Sequence, residues 1–210
     1  MRQLLSLLFL AIAFVGGSCR RQASVATPSC CAKPPRSSAF SVPAPLTPDA
    51  SIYQLPGVWL DQHNHSVSLN TLKGKVQVVA MIFTHCGYAC PRLVQEMKDI
   101  EDSLSASQRA GVGYVLVSFD TRRDDPARLQ QYAEEQRLDG HWVLLHGNAE
   151  EVRQLSMLLN VSYQPAADGN FNHSNAVVIL DRQGTPRQTL EGLSSNAALA
   201  IRTIGRLETQ

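Results

Sequence analysis

The sequence predicts a layered α/β domain with a mixed central sheet, on the basis of three observations. Apolar runs rich in Val and Ile, which are typical of strands buried on both faces, alternate with segments in which apolar residues recur every three or four positions, as on a helix face. Hairpin patterns stand before and after this alternation. Two cysteines with the spacing C-x3-C lie where the first long strand gives way to a helix. Strands that alternate with helices are joined by parallel crossovers, and hairpins add antiparallel strands.

The first elements are a hairpin, a strand and a helix. In residues 57–69, two short apolar stretches flank a polar centre, which indicates a β-hairpin. The continuous apolar run 76–83 indicates a buried strand. In residues 91–106, apolar positions from Leu93 to Leu104 recur at spacings of four, three and four, which indicates a helix.

Further strands and helices follow along the chain. They are a strand at 111–119, a helix at 124–138, a strand at 141–147, a helix at 148–161, a hairpin at 175–192 and a helix at 194–207. Pro126, which follows an aspartate, marks the first turn of the second helix, and Asn148 is a suitable N-cap for the third. A dithiol at the end of the first strand–helix unit matches the arrangement of thioredoxins.

Residues 1–18 have the pattern of a secretory signal, with a basic Arg2, the apolar run 4–15 and small residues before Cys19. The run is short for a bilayer span, which needs roughly 20 apolar residues. The letters VGGSC are similar to the lipobox of bacterial lipoproteins, so we expect Cys19 to be lipidated; ordinary signal cleavage and an uncleaved N-terminal anchor are the alternatives. Each of them carries the rest of the chain out of the cytoplasm. We therefore expect a membrane-tethered protein on the periplasmic side of the bacterial cell envelope.

Residues 19–50 form a linker rich in Pro, Ser and Ala, and we expect the folded domain at 51–210. The adjacent Cys30 and Cys31 on this linker are a candidate auxiliary metal pair. Lys and Arg number 19 and Asp and Glu 18, so the chain lacks the basic field that nucleic-acid binding requires. A chain of 210 residues fits one domain, and we expect a monomer.

Cys86 and Cys90 are the candidate reactive residues. Cys86 precedes a helix and Cys90 lies at its start, where the positive end of the helix dipole favours thiolate over thiol. Side chains four residues apart in a helical turn face the same way. The two sulfurs could therefore exchange disulfides, bind a metal ion or form a structural disulfide. A disulfide that closes so short a loop restrains little chain entropy, which disfavours the structural role.

Three features favour a metal over disulfide exchange. The C-x3-C spacing is longer than the C-x2-C of dithiol oxidoreductases and suits sulfurs that open around an ion. Thioredoxin-type enzymes have a cis-proline before the penultimate strand, but the segment 169–180 contains no proline and has His173 instead. Two thiolates and an imidazole suit Cu(I) and can also hold Cu(II), whereas structural zinc needs a fourth ligand. His85, next to Cys86, is an alternative nitrogen ligand.

The chain resembles the Sco/SenC family of copper proteins from about Ser51 to about Leu207. The segments that carry the resemblance are KVQVVAMIFTHCGYACPRLVQEM, VLVSFDTRRDDPARL and FNHSNAVVILDRQG. In the second of them, Thr121 stands where the family pattern has Pro. The resemblance implies a thioredoxin-like fold, with the central mixed sheet flanked by helices and an added N-terminal β-hairpin, tethered on the extracytoplasmic side of a membrane.

The resemblance also implies a function. Cys86, Cys90 and His173 would bind copper, as Cu(I) or Cu(II), for delivery to the copper centre of cytochrome c oxidase. The partner would be a copper-accepting oxidase subunit or another copper chaperone. Asp120, after the second long strand, could orient His173 or tune the thiols without binding the metal itself. It could equally be only a turn residue.

Two other functions stay open from the sequence. One is a thiol–disulfide oxidoreductase in which Cys86 is the nucleophile and Cys90 the resolving thiol. The other is a copper sensor or copper-resistance protein that uses the same site. A metallochaperone is not an enzyme, but reduction of partner thiols by the same dithiol is compatible with that role.

Overall fold

The structure is a computed structural model that describes residues 50–193 and 197–209. The strands are β1 (Trp59–Asp61), β2 (Ser66–Val67), β3 (Val76–Ile82), β4 (Val112–Ser118), β5 (Trp142–His146), β6 (Tyr163–Pro165), β7 (Phe171–His173), β8 (Ala176–Leu180) and β9 (Pro186–Glu191). The helices are α1 (Ala89–Ser103), α2 (Ala106–Ala110), α3 (Pro126–Glu135), α4 (Ala149–Leu158) and α5 (Ala197–Glu208). The expected signal segment 1–18, with Cys19, Cys30 and Cys31, lies outside the described residues.

A mixed sheet of seven strands forms the core, in the order β2-β1-β5-β4-β3-β8-β9. β3, β4 and β5 are parallel neighbours, and the strands outside them pair antiparallel. The parallel register of β3 and β4 runs from Val76 beside Val112 to Ile82 beside Ser118. Every residue of β3 is buried, as the continuous apolar run predicted. The predicted α/β class with a mixed central sheet is confirmed, and the N-terminal hairpin β1–β2 joins the sheet beside β5.

The helices cover the sheet and leave one edge for the loops that follow the parallel strands. α1 and α5 pack against each other and against β3 and β8, and α3 packs against β5. The inward face of α1 presents Leu93, Met97 and Ile100, each fully buried. Because β3 and β4 run in parallel, the loops after Ile82 and Ser118 emerge side by side. Among the described residues, no helix has the length and apolar character needed to cross a bilayer.

Two helices begin where the sequence predicted. Asp125 caps α3 by accepting a hydrogen bond from the Arg128 N–H at 2.8 Å, with Pro126 in the first turn. Asn148 caps α4 and forms a capping box with Glu151, whose carboxylate accepts the Asn148 N–H at 2.8 Å. These caps fix the ends of the loops that follow β4 and β5.

One local prediction was wrong, and one element had not been predicted. The helix expected over 91–106 ends at Ser103, and after an extended Leu104 a separate short helix, α2, begins behind a capping box at Ser105. The segment between α4 and β8, for which no element was predicted, forms the two-stranded hairpin β6–β7. Leu104 is buried although it is not helical, which explains why the apolar period continues beyond the helix.

Candidate metal centre

Cys86, Cys90 and His173 come together from two distant parts of the chain. Cys86 lies in the loop between β3 and α1, Cys90 is the second residue of α1, and His173 ends β7. One ligand atom from each lies within 4.8 Å of the others. Cys90 is fully buried, whereas Cys86 and His173 are half-buried. The three residues that the sequence predicted thus form one cluster, in which Cys86 and His173 are partly accessible.

The sulfur of Cys86 takes the place of a helix cap. Tyr88, the residue before α1, makes no capping hydrogen bond with its side chain. Instead, the Cys90 N–H donates to the Cys86 sulfur at 3.3 Å. The free N–H groups at the start of a helix carry partial positive charge and favour an anion there.

The two thiols have opposite acidities. The pKa of Cys86 falls from 9.0 to about 4, chiefly because the Cys90 thiol donates a hydrogen bond to it. Partial burial opposes this shift, while the N–H groups of Cys90 and Tyr88 and the His173 ring favour it. The pKa of Cys90 is raised, first because its thiol donates that bond and then because burial disfavours a charge. At neutral pH the pair therefore holds one proton, on Cys90.

We expect alkylation of Cys86 to depend little on pH above its lowered pKa. Because the thiolate is the nucleophile, the rate with iodoacetamide should stay nearly constant from about pH 8 to about pH 5.5 and fall only as pH approaches 4. An ordinary thiol loses about tenfold in rate per pH unit over that range. Peptide mapping by mass spectrometry after timed labelling measures the rate at Cys86 alone.

The control for this measurement is Cys90→Ala, which removes the hydrogen bond that lowers the Cys86 pKa most. Its labelling rate should depend more strongly on pH than that of the unmodified chain, because the largest cause of the lowered Cys86 pKa is gone. A tenfold loss per pH unit in the unmodified chain would contradict the proposed thiol pair.

His173 is held by the hairpin β6–β7, which places Tyr163 beside His173 and Pro165 beside Phe171. The turn uses Gly169 with a φ of +81°, a conformation that other residues rarely adopt. The Nδ1 atom of His173 lies 3.1 Å from the Ser174 carbonyl oxygen. Since a carbonyl only accepts, Nδ1 donates to it, which leaves Nε2 as the ring nitrogen that can bind a metal.

Four aromatic rings, which we call the aromatic cluster, attach this hairpin to the sheet: Phe83, Phe119, Tyr163 and Phe171. The His173 ring lies 5.8 Å from Phe83 and 5.2 Å from Phe119, between centroids. Phe171 shares the His173 face of β7 and lies 5.3 Å from Phe83 and 5.1 Å from Phe119. Tyr163 stacks on Phe119 at 5.1 Å. The sequence analysis did not identify these rings as functional, although the two phenylalanines directly after the parallel strands were a usable signal.

A second feature that the sequence analysis missed is Asp124, which is 0% exposed beneath the Cys86 loop. Its carboxylate accepts the Thr84 N–H at 2.8 Å, the Thr84 hydroxyl at 2.7 Å and the Ser118 hydroxyl at 2.7 Å. The His146 ring donates to the Asp124 carbonyl at 2.8 Å. One residue thus ties together the ends of β3, β4 and β5. The Asp-x-x-x-Asp spacing of Asp120 and Asp124 was the only hint in the sequence.

Asp120 and His85 lie near the site but are not grouped with the two sulfurs, and Asp120 agrees with the turn role that the sequence left open. The Asp120 carboxylate is hydrogen-bonded to the guanidinium Nε of Arg123 and to its N–H, not to His173. The exposed His85 lies with the carboxylates of Asp120 and Asp124, with its Nδ1 3.5 Å from Asp124, rather than with the thiols. The structure therefore groups His173, and not His85, with the two sulfurs.

Comparison with known proteins adds relatives of the same design. A relative from Stutzerimonas stutzeri, named as a candidate copper-binding protein, is 30% identical over 132 residues, or 61% of this chain and 64% of the relative. The match thus spans less than two thirds of that relative's length. The structure of Bradyrhizobium japonicum ScoI with copper bound has a TM-score of 0.61 at 24% identity and covers 72% of this chain and 97% of that one.

A third relative is BsSco, described as a member of the Sco family of cytochrome c oxidase assembly proteins. Its structure has a TM-score of 0.66 at 21% identity and covers 79% of this chain and 99% of that one. These likenesses confirm the predicted thioredoxin-like fold. The SCO1/SenC family model matches residues 51–207, nearly the whole described domain. The chain therefore belongs to the SCO1/SenC family.

Proposed function

We propose that this domain binds one copper ion through Cys86, Cys90 and His173 and delivers it, outside the cytoplasm, to a copper centre of cytochrome c oxidase. The observation that carries the proposal is the convergence of two sulfurs and one imidazole within 4.8 Å. Soft thiolates with one imidazole are a donor set that suits Cu(I) and accommodates Cu(II).

The burial of the three groups supports delivery rather than permanent storage. Cys90 is fully buried and would bind the ion from the protein interior. Cys86 and His173 are half-buried and can be reached by a ligand of a partner. Cys86 is already a thiolate at neutral pH, so loading displaces a single thiol proton, that of Cys90. Ligand exchange at the partly exposed Cys86 and His173 is the simplest route for the ion to leave.

The family relatives support the choice of cargo and recipient. One neighbour contains copper and another belongs to oxidase assembly. We propose a copper-accepting oxidase subunit or another copper chaperone as the partner. A lipid on Cys19, with the linker 19–50 as a tether, would hold the domain at the periplasmic face of a membrane. Cys30 and Cys31 would be an auxiliary metal pair on that tether.

Anaerobic titration with Cu(I) against a competing chelator tests the proposal. Cys30→Ser and Cys31→Ser are made first, so that only the domain site is measured. In this background Cys86→Ala, Cys90→Ala and His173→Ala should each weaken copper binding by more than about 100-fold. Loss of a residue that only hydrogen-bonds a ligand already weakens metal binding by up to about 100-fold, and loss of the ligand itself should cost more. His85→Ala is the matched control and should leave the affinity unchanged. Unchanged affinity in the His173 variant would remove the imidazole from the proposed site.

A second candidate function, thiol–disulfide exchange, is favoured by the opposite acidities of the two thiols. A thiolate at Cys86 can attack a disulfide, and the Cys90 thiol stands within reach to resolve the intermediate. This function predicts reduction of a protein disulfide that is abolished in Cys86→Ala and preserved in His173→Ala. Copper delivery predicts instead that both variants lose copper binding.

A further inference from the structure

A cleft of about 350 Å³ lies beside the candidate metal centre. One wall is the loop after β4, and the other is the turn of the β6–β7 hairpin. The lining includes Asp120, Arg122, Arg123, Pro165, Asn170 and Phe171. Phe171 belongs to the aromatic cluster, and its ring contacts the same two phenylalanines that contact His173. The cleft and the metal centre thus share one wall of rings.

The cleft contains one arginine charge, that of Arg122, which no described acid neutralises, whereas the charge of Arg123 is paired with Asp120. Arg122 is exposed and has no hydrogen bond or ion pair with any described residue. Arg123 is fixed in place, since its Nε is bonded to Asp120 and its guanidinium lies 5.9 Å from the Phe171 ring centroid. Its two terminal nitrogens have no partner within the described part of the chain. Asp168, the acid on the facing turn, is already bonded to the N–H and side-chain amide of Asn170, each at 2.9 Å.

We propose that this cleft binds a carboxylate of the molecule that exchanges copper with the neighbouring site, with Arg122 as the principal contact. A planar guanidinium with free N–H groups is the natural partner of a carboxylate, which it can bind through two parallel hydrogen bonds. The volume admits a carboxylate side chain or a small organic acid. The copper part of the inference rests on the proposed function, whereas binding of the anion does not.

The first test needs no copper. The reduced full chain is titrated with citrate, a small carboxylate, and backbone amide signals are followed by NMR. The amides of Arg122, Arg123, Gly169 and Asn170 should shift and saturate, and Arg122→Glu should abolish the shifts. Arg202→Glu is the matched control, because Arg202 is exposed on α5 and does not line this cleft. Absence of saturable shifts at the cleft in the unmodified chain overturns the proposal, whatever copper does.

The second test connects the cleft to the cargo. Copper(I) is withdrawn from the loaded chain either by bicinchoninate, which carries carboxylates, or by neocuproine, a neutral chelator. Arg122→Glu should slow withdrawal by bicinchoninate at least about threefold relative to neocuproine at low ionic strength. The difference should shrink in about 0.5 M salt, where exposed charges are screened.

The outcomes separate the two proposals. A chain that never loads copper contradicts the proposed function and leaves the citrate result to decide on the cleft. A loaded chain in which both chelators respond alike to Arg122→Glu overturns the role of the cleft in copper exchange, and the proposed function stands. A selective effect on bicinchoninate, absent from Arg202→Glu, supports both.

Discussion

Replacement of Asp124 by alanine is expected to lower the free energy of unfolding by about 3 kcal/mol, because it leaves buried donors without an acceptor. The carboxylate accepts two hydrogen bonds from Thr84 and one from Ser118, all beneath the Cys86 loop. Each buried donor left unpaired costs about 1–3 kcal/mol, but a hydroxyl can rotate toward another acceptor, so the three costs do not add in full. Urea unfolding at neutral pH, followed by circular dichroism, measures the difference.

Two further variants sharpen this prediction. Asp124→Asn keeps the shape and an oxygen acceptor and should lose less stability, about 1–2 kcal/mol. Asp168→Ala removes an exposed carboxylate and should change stability by no more than about 0.5 kcal/mol. An Asp124→Ala protein as stable as the unmodified chain would show that the ends of β3 and β4 are held by other contacts.

Replacement of Phe119 by alanine is expected to cost about 3–5 kcal/mol of stability and also to weaken copper binding by about 10-fold or more. The ring is 2% exposed and contacts Phe83, Tyr163, Phe171 and His173. Its removal leaves a cavity and frees the hairpin that carries the imidazole. Chemical denaturation gives the first effect, and Cu(I) competition the second.

A matched variant separates loss of stability from loss of positioning. Leu155, which is 1% exposed on α4, packs in the core and belongs neither to the aromatic cluster nor to the ligand set. Leu155→Ala should lose about 2–5 kcal/mol with copper affinity unchanged. Equal loss of affinity in both variants would mean that Phe119 has no particular part in placing His173.

The long strands could be predicted from the sequence almost to the residue. The run predicted at 76–83 is β3 at Val76–Ile82, and the run at 111–119 is β4 at Val112–Ser118. Burial on both faces requires a largely apolar segment, and both of these strands have one. The hairpin β6–β7 could not be predicted in this way, because each strand has three residues and several of them are exposed. It is held by rings from other elements rather than by its own pattern.

In the candidate site, too, some features could be predicted from the sequence and others could not. Residue type, spacing and the family resemblance together pointed to Cys86, Cys90 and His173, which the fold brings within 4.8 Å of one another. The opposite acidities of the two thiols depend on the direction of one hydrogen bond, which no sequence pattern records. Asp124 acts across 40 positions on Thr84, and only the folded chain brings such groups together. The orientation of Asp120 toward Arg123 is by contrast a local contact between residues three apart, which the sequence pattern did not single out.

The sulfur of Cys86 has two roles. It accepts a hydrogen bond from the Cys90 N–H at the start of α1, and it is one of the three groups that can bind a metal. A metal that draws electron density from this sulfur weakens the hydrogen bond that the sulfur accepts from the Cys90 N–H. The first turn of α1 is therefore held less tightly when a metal is bound. The N-terminal end of α1 would then differ between the metal-loaded and the metal-free domain, and a partner that contacts it would distinguish the two states. Hydrogen–deuterium exchange at the Cys90 N–H measures whether the site holds a metal.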